Sequence, residues 1–228
     1  MSVAQIPLPF PQVPDYAAAD FLQAPSNSEA LTWLSDTRLW PSGRLAVWGE
    51  AGCGKTHLLT AWAARRGGTL LAGADLTDIA GLPRLPRAGL AIDGADQAAD
   101  ETALLHLLNR AQEAGTPVLL AARLPPARWV VGLADLASRV RGTTAVRIQP
   151  PEDALLRALL ARLLSTRQIA VAEGVQEWLF RRLPRTPAAM REAAAALDAD
   201  ALADGTAVTR AVAARVLARL AAAEAAEA

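Results

Sequence analysis

The sequence predicts an α/β domain built on a parallel sheet, followed by a small all-helical domain. Three observations carry this reading. Short apolar runs alternate with helical patterns between Leu45 and Gln149, the first run leads into a glycine-rich loop and a helix, and strand signals vanish from Glu152 onward.

In order, Ser26 or Asn27 can cap a first helix that runs to Trp40 and stops at Pro41. Leu45 to Trp48 is a buried-strand run, and a helix follows from about Gly54 to Arg66. Thr69 to Ala72 is a second strand, and Ile79 to Arg87, with Pro83 and Pro86, reads as loop. Gly89 to Asp93 is a strand ending on a carboxylate. Ala98 to Ala114 carries leucines at helical spacing, Thr116 to Ala122 is a fourth strand, Asp135 to Gly142 a short helix and Thr144 to Gln149 a last strand. Beyond Pro150-Pro151, helical stretches cover Glu152 to Thr166, Glu173 to Leu183, Thr186 to Ala203 and Val208 to Ala223. The expected organisation is a leader over residues 1–19, an α/β domain over 20–169 and a helical domain over 170–228.

The chemistry is concentrated in one stretch. Gly49-Glu50-Ala51-Gly52-Cys53-Gly54-Lys55-Thr56 fits G-x-x-x-x-G-K-[ST] without a mismatch, between an apolar strand and a helix as the motif requires. Glycines let the backbone curl so that N–H groups face inward, and the helix aims its positive end at the same point. The expected ligand is ATP or ADP. Lys55 is expected at the β- and γ-phosphates, His57 follows at the helix start, and the Thr56 hydroxyl is expected on Mg²⁺. Asp93, at the carboxyl end of its strand, is expected beside the loop to orient the same ion through water, the alternative being an aspartate that merely ends the strand.

Composition narrows the class. The chain has 228 residues, 52% hydrophobic, with 23 basic and 23 acidic side chains, so no net field draws it to nucleic acid or to an acidic membrane. One cysteine, Cys53, excludes an internal disulfide framework. No apolar run approaches the roughly 20 residues that span a bilayer, and MSVAQIPLPFPQ lacks the features of a signal peptide, so a cytoplasmic protein is expected. Pro7, Pro9, Pro11 and Pro14 keep the leader extended. Within it, Gln5, Leu8, Pro9 and Phe10 have the layout of a peptide that inserts apolar anchors into a pocket on another protein; a plain disordered leader has the same composition.

The phosphate loop continuing into His57-Leu58-Leu59, the strand ending on Asp93, the run Leu136-Ala137-Ser138-Arg139, the turn Pro150-Pro151-Glu152 and Met190-Arg191 in the helical domain resemble the AAA+ P-loop core of the DnaA family of bacterial replication initiators. The resemblance runs from about Asp20 to Leu220 and ends short of the helix-turn-helix domain that DnaA carries. That plan, with a leader similar to sliding-clamp docking motifs at Gln5 to Phe10, resembles the regulatory inactivators of DnaA. The resemblance implies an AAA+ α/β domain with a helical lid, an arginine finger acting in trans at Arg139 with Arg141 next in line, a lid arginine on the nucleotide at Arg191, and Phe21, Leu22 and Asn27 along the adenine pocket. A guanidinium suits the finger because it stays charged and bridges two phosphate oxygens. An arginine paired on its own surface at 139, a solvated helix charge at 191 and plain packing at 21 and 22 are the competing readings. The implied partners are DnaA and the sliding clamp (the β subunit of DNA polymerase III), with DNA reached only through the clamp, no membrane, and a homo-oligomer as the other assembly open to it.

Two departures from the family pattern bear on hydrolysis. Gly94 stands where motor ATPases carry a second acid, and Leu120-Ala121-Ala122-Arg123 lacks the polar sensor after the fourth strand. Intrinsic ATP hydrolysis is therefore expected to be weak or absent, unless Asp96 or Glu101 folds back to replace the missing acid. The alternative is a self-sufficient P-loop ATPase of the helicase-loader or remodelling type.

Overall fold

The structure is a computed structural model that describes residues 22–77, 85–204 and 208–227. The leader residues Gln5, Leu8, Pro9 and Phe10, and Phe21, lie outside the described residues. Contacts divide the chain into two units, one ending at Pro150 and one beginning at Pro151.

The first unit is built on five parallel strands in the order β2-β3-β4-β1-β5, comprising β1 (Arg44–Trp48), β2 (Thr69–Ala72), β3 (Leu90–Asp93), β4 (Val118–Ala122) and β5 (Thr144–Arg147). Each expected strand is present. Leu45 to Trp48, Leu90 to Ile92 and Val118 to Ala122, in the three central strands, are continuous apolar runs because both faces are covered, and alternate residues serve opposite layers. Ala46, Leu90, Ile92, Val118, Leu120 and Ala122 pack with Leu104, Leu107, Leu108 and Ala111 of α3 (Glu101–Ala114) and with Leu136 and Val140 of α4 (Ala134–Arg141). Leu45, Val47, Ala91, Leu119, Ala121 and Val146 pack on the other face with Leu58, Leu59 and Trp62 of α2 (Lys55–Arg66), where Trp40 stacks on Trp62 at 5.5 Å between ring centroids. Crossovers through these helices place every strand's carboxyl end on one edge, and the loops on that edge carry the chemistry.

The first helix is shorter than its pattern. α1 spans Ser28–Ser35 because Asp36 leaves helical backbone and its carboxylate accepts the Arg38 N–H at 3.0 Å, which starts a new turn instead. Asn27 does not cap α1 with its side chain; Oδ1 accepts from the Ala24 N–H and Nδ2 donates to the Leu22 carbonyl, tying the incoming segment back on itself. α3 begins at Glu101 rather than Ala98, since Asp100 accepts the N–H groups of Thr102 and Ala103 and fixes the first turn there.

The second unit holds α5 (Asp153–Thr166), α6 (Glu173–Phe180), α7 (Pro187–Asp204) and α8 (Arg210–Glu227). α5 packs on α7, which in turn packs on α8, so the boundary falls at Pro150/Pro151 and not at 169/170: the apolar face of α5, with Leu156, Leu160 and Leu164 buried, joins the helical core. Thr186 accepts the Ala189 N–H and Pro187 opens α7, a cap followed by a residue with no N–H to lose. Among the described residues no helix is long and apolar enough to cross a membrane.

Candidate functional site

The loop between β1 and α2 has the shape its glycines require. Gly54 sits at φ +101°, backbone that L side chains rarely adopt, and turns the chain into α2. The N-terminus of α2 has no capping side chain and no acid in its first turn, so its positive end and its free N–H groups are left for an external anion. Lys55 reaches back over the loop, its Nζ donating to the carbonyls of Gly49 at 2.8 Å and Glu50 at 2.7 Å, which poises the ammonium at the cradle.

Asp93 ends β3 next to this loop. Its Oδ2 accepts the Thr56 hydroxyl at 2.6 Å, across one intervening strand, so the two residues expected on Mg²⁺ meet. A hydroxyl and a carboxylate are hard oxygen donors that suit Mg²⁺ bound mainly through phosphates and water. Among the described residues no cluster of three His, Cys, Asp or Glu side chains is present. The residues present therefore fit a nucleoside phosphate with Mg²⁺. His57 is half-buried in the first turn of α2. Cys53 is half-buried in the loop. The positive surroundings do not activate its thiol, because burial pushes its pKa up despite the Lys55 ammonium 3.7 Å away. Reaction with an aromatic disulfide at neutral pH is expected to run several-fold slower than for an exposed cysteine and to accelerate only above the usual thiol range. Rapid titration would contradict that burial.

Gly94 has φ +65°, so the position after Asp93 is set in left-handed backbone. An acid there is strained by about 1 kcal/mol, and Gly94→Glu is expected to lower Tm by about 2–4 °C in a thermal melt. An unchanged Tm would show that this backbone is not held. Neither proposed replacement acid is free to take its place. Glu101 accepts the Gly132 and Leu133 N–H groups at 2.8 to 3.0 Å, holding the loop before α4, and Asp96 Oδ2 accepts the Arg123 N–H at 3.2 Å.

Arg139 stands in the last turn of α4, half-exposed, with Nη1 donating to Gln112 Oε1 at 3.1 Å. The same oxygen accepts Nη1 of Arg44, the first residue of β1, at 3.2 Å. Arg139 therefore lies at the amino end of the strands, while its own phosphate loop leaves their carboxyl end, a strand's length of roughly 16 Å away. It cannot serve a nucleotide in its own loop. The two guanidinium nitrogens are held within roughly 6 Å, a repulsion on the order of 2–3 kcal/mol before solvent screening. Burial and this neighbouring charge together push the Arg44 pKa down. Arg141 is exposed at the end of the same helix. Arg191 occupies the second turn of α7, half-exposed beside the fully buried Met190. Leu22 is half-buried at the start of the described chain, held by the Asn27 bond. Two positions escaped the sequence reading, Arg44 and Gln112. Arg44 is a cation opening an otherwise apolar strand, which was the available signal; Gln112 carried none.

The strand order, the loop after β1 and the acid at the end of β3 define a P-loop α/β domain of the AAA+ fold. The fold is DnaA-like: the chain is similar to domain III of the replication initiation protein DnaA from Thermotoga maritima, at 20% identity over 92% of this chain and 98% of that one, with a TM-score of 0.72. AMPPCP-bound DnaA from Aquifex aeolicus is similar at 16% identity over 79% of this chain, with a TM-score of 0.59, and the chain spans 64% of that protein's length. Thermotoga maritima RuvB, in its R170A form, is similar at 17% identity over 90% of this chain and 72% of its own, with a TM-score of 0.67. No protein-family profile matches the chain.

Proposed function

We propose that this protein is an AAA+ nucleotide-binding regulator of replication initiation of the Hda type. In this reading it holds ATP or ADP with Mg²⁺ at Gly49 to Thr56 and Asp93, docks on the DNA-loaded sliding clamp through Gln5, Leu8, Pro9 and Phe10, and lends Arg139 to ATP bound by DnaA, which then hydrolyses it. Arg191 contacts the bound nucleotide from the lid, and Leu22 with Phe21 borders the adenine. The observation that carries the reading is the position of Arg139, too far from its own phosphate loop to act in cis and exposed enough to act on a neighbour. Gly94 and the apolar end of β4 support it, because a chain short of water-organising groups gains from hydrolysis completed by a partner. The likeness to DnaA bound to AMPPCP supports the nucleotide.

The deciding experiment measures DnaA-dependent ATP hydrolysis with this protein added, with and without DNA-loaded clamp. Stimulation only with loaded clamp is expected; appreciable turnover by this chain alone would instead establish a self-sufficient ATPase, the reading that the likeness to RuvB favours. Replacing Gln5 and Leu8 together with alanine is expected to abolish retention on immobilised clamp, and undiminished retention would remove the leader from the mechanism.

A further inference from the structure

Arg44, Gln112 and Arg139 form a cluster that fold stability alone does not account for. The Arg44 side chain is buried, with the residue 6% exposed, and its Nε has no hydrogen-bond partner among the described residues. Its Nη1 shares the Gln112 oxygen with Nη1 of Arg139, and no carboxylate among the described residues pairs with either guanidinium. A buried cation facing a neutral acceptor and a second cation is costly, and a methionine of similar length would fill the same space without that cost.

We propose that Arg44 is a positioning residue for Arg139: its fixed charge weakens the hold of Gln112 on the Arg139 guanidinium, so that Arg139 is released readily to an oxyanion carried by a second subunit. This rests on the reading of Arg139 as a finger acting in trans. Of the two arginines, Arg139 is the one able to leave. Arg44 is anchored by backbone pairing to Val118 in β4, whereas Arg139 stands half-exposed in the last turn of a surface helix. Transfer from an amide oxygen to a phosphate oxygen exchanges a hydrogen bond between a cation and a dipole for one between opposite full charges, which is the stronger. It also leaves the Gln112 oxygen to Arg44 alone. Both changes favour the engaged state, and the second depends on the Arg44 charge.

The test compares Arg44→Met, Arg44→Lys and Arg139→Ala in the DnaA stimulation assay with DNA-loaded clamp, each variant first checked by thermal melting, with Arg44→Gln as the second neutral variant if Arg44→Met does not fold. Arg44→Met is expected to raise the half-stimulating concentration about three- to tenfold, with the saturating rate close to that of the parent chain. Arg44→Lys, which keeps the charge, is expected to restore most of that loss. An unchanged half-stimulating concentration for Arg44→Met beside an inactive Arg139→Ala would overturn the positioning role and leave the finger in place. Full activity of Arg139→Ala would remove the finger itself. A second readout uses the isolated chain with ¹⁵N-labelled arginine: rotation of the Arg139 guanidinium is expected to slow several-fold in Arg44→Met, a change that loss of packing alone would not produce, and unaltered rotation would overturn the proposal whatever DnaA does.

Discussion

Arg139→Ala is expected to bind nucleotide and clamp as the parent chain does and yet to lose stimulation of DnaA hydrolysis by about 10³-fold or more, the usual worth of an arginine supplied across an interface. That corresponds to about 4 kcal/mol of transition-state stabilisation. The separation follows from geometry, since the side chain is at the amino end of the sheet and touches neither the loop at Gly49 to Thr56 nor Asp93. Truncation should also cost little stability, because the bond to Gln112 is made near the surface to a neutral amide and Arg44 retains that acceptor. Single-turnover hydrolysis by DnaA, with nucleotide binding by this chain measured in parallel, checks both halves. Arg139→Lys is expected to recover only a small part, because an ammonium cannot bridge two phosphate oxygens.

Lys55→Ala is expected to weaken ATP and ADP binding by about 100-fold or more in equilibrium dialysis, equivalent to about 3 kcal/mol. Its ammonium is drawn over the loop, held there by the carbonyls of Gly49 and Glu50, and the α2 dipole alone does not replace a full charge. Folding should survive, because the Lys55 side chain bonds to atoms of the loop, the Glu50 carbonyl among them at an exposed position, and takes no part in the apolar core. If the variant still binds nucleotide with parent affinity, the loop is not the phosphate site. Loss of binding together with loss of DnaA stimulation would show that the bound nucleotide sets the conformation in which Arg139 is presented.

Much of this fold was legible in order. The strand at Leu45 to Trp48, the loop after it and the acid at Asp93 were found because each carries a local signature: an apolar run, a glycine pattern, a carboxylate at a strand end. The end of α1 was misplaced because Asp36 bonds its own neighbouring N–H, a competition that apolar spacing does not register. α5 was grouped with the sheet because a helix does not announce which neighbour will cover its apolar face. The state of the Cys53 thiol was not legible for a related reason, as charge is visible in sequence and burial is not.

By itself, the sequence determined that a phosphate loop follows a buried strand, that an acid ends a later strand and that the usual second acid is a glycine, because these depend on residue type and spacing along the chain. Only the tertiary structure decided that Thr56 meets Asp93, that Glu101 and Asp96 are engaged elsewhere, and that Arg44 and Arg139 converge on Gln112 at the far end of the sheet. Those outcomes join residues tens of positions apart, and only the closing of parallel strands through their helices brings such residues within bonding distance.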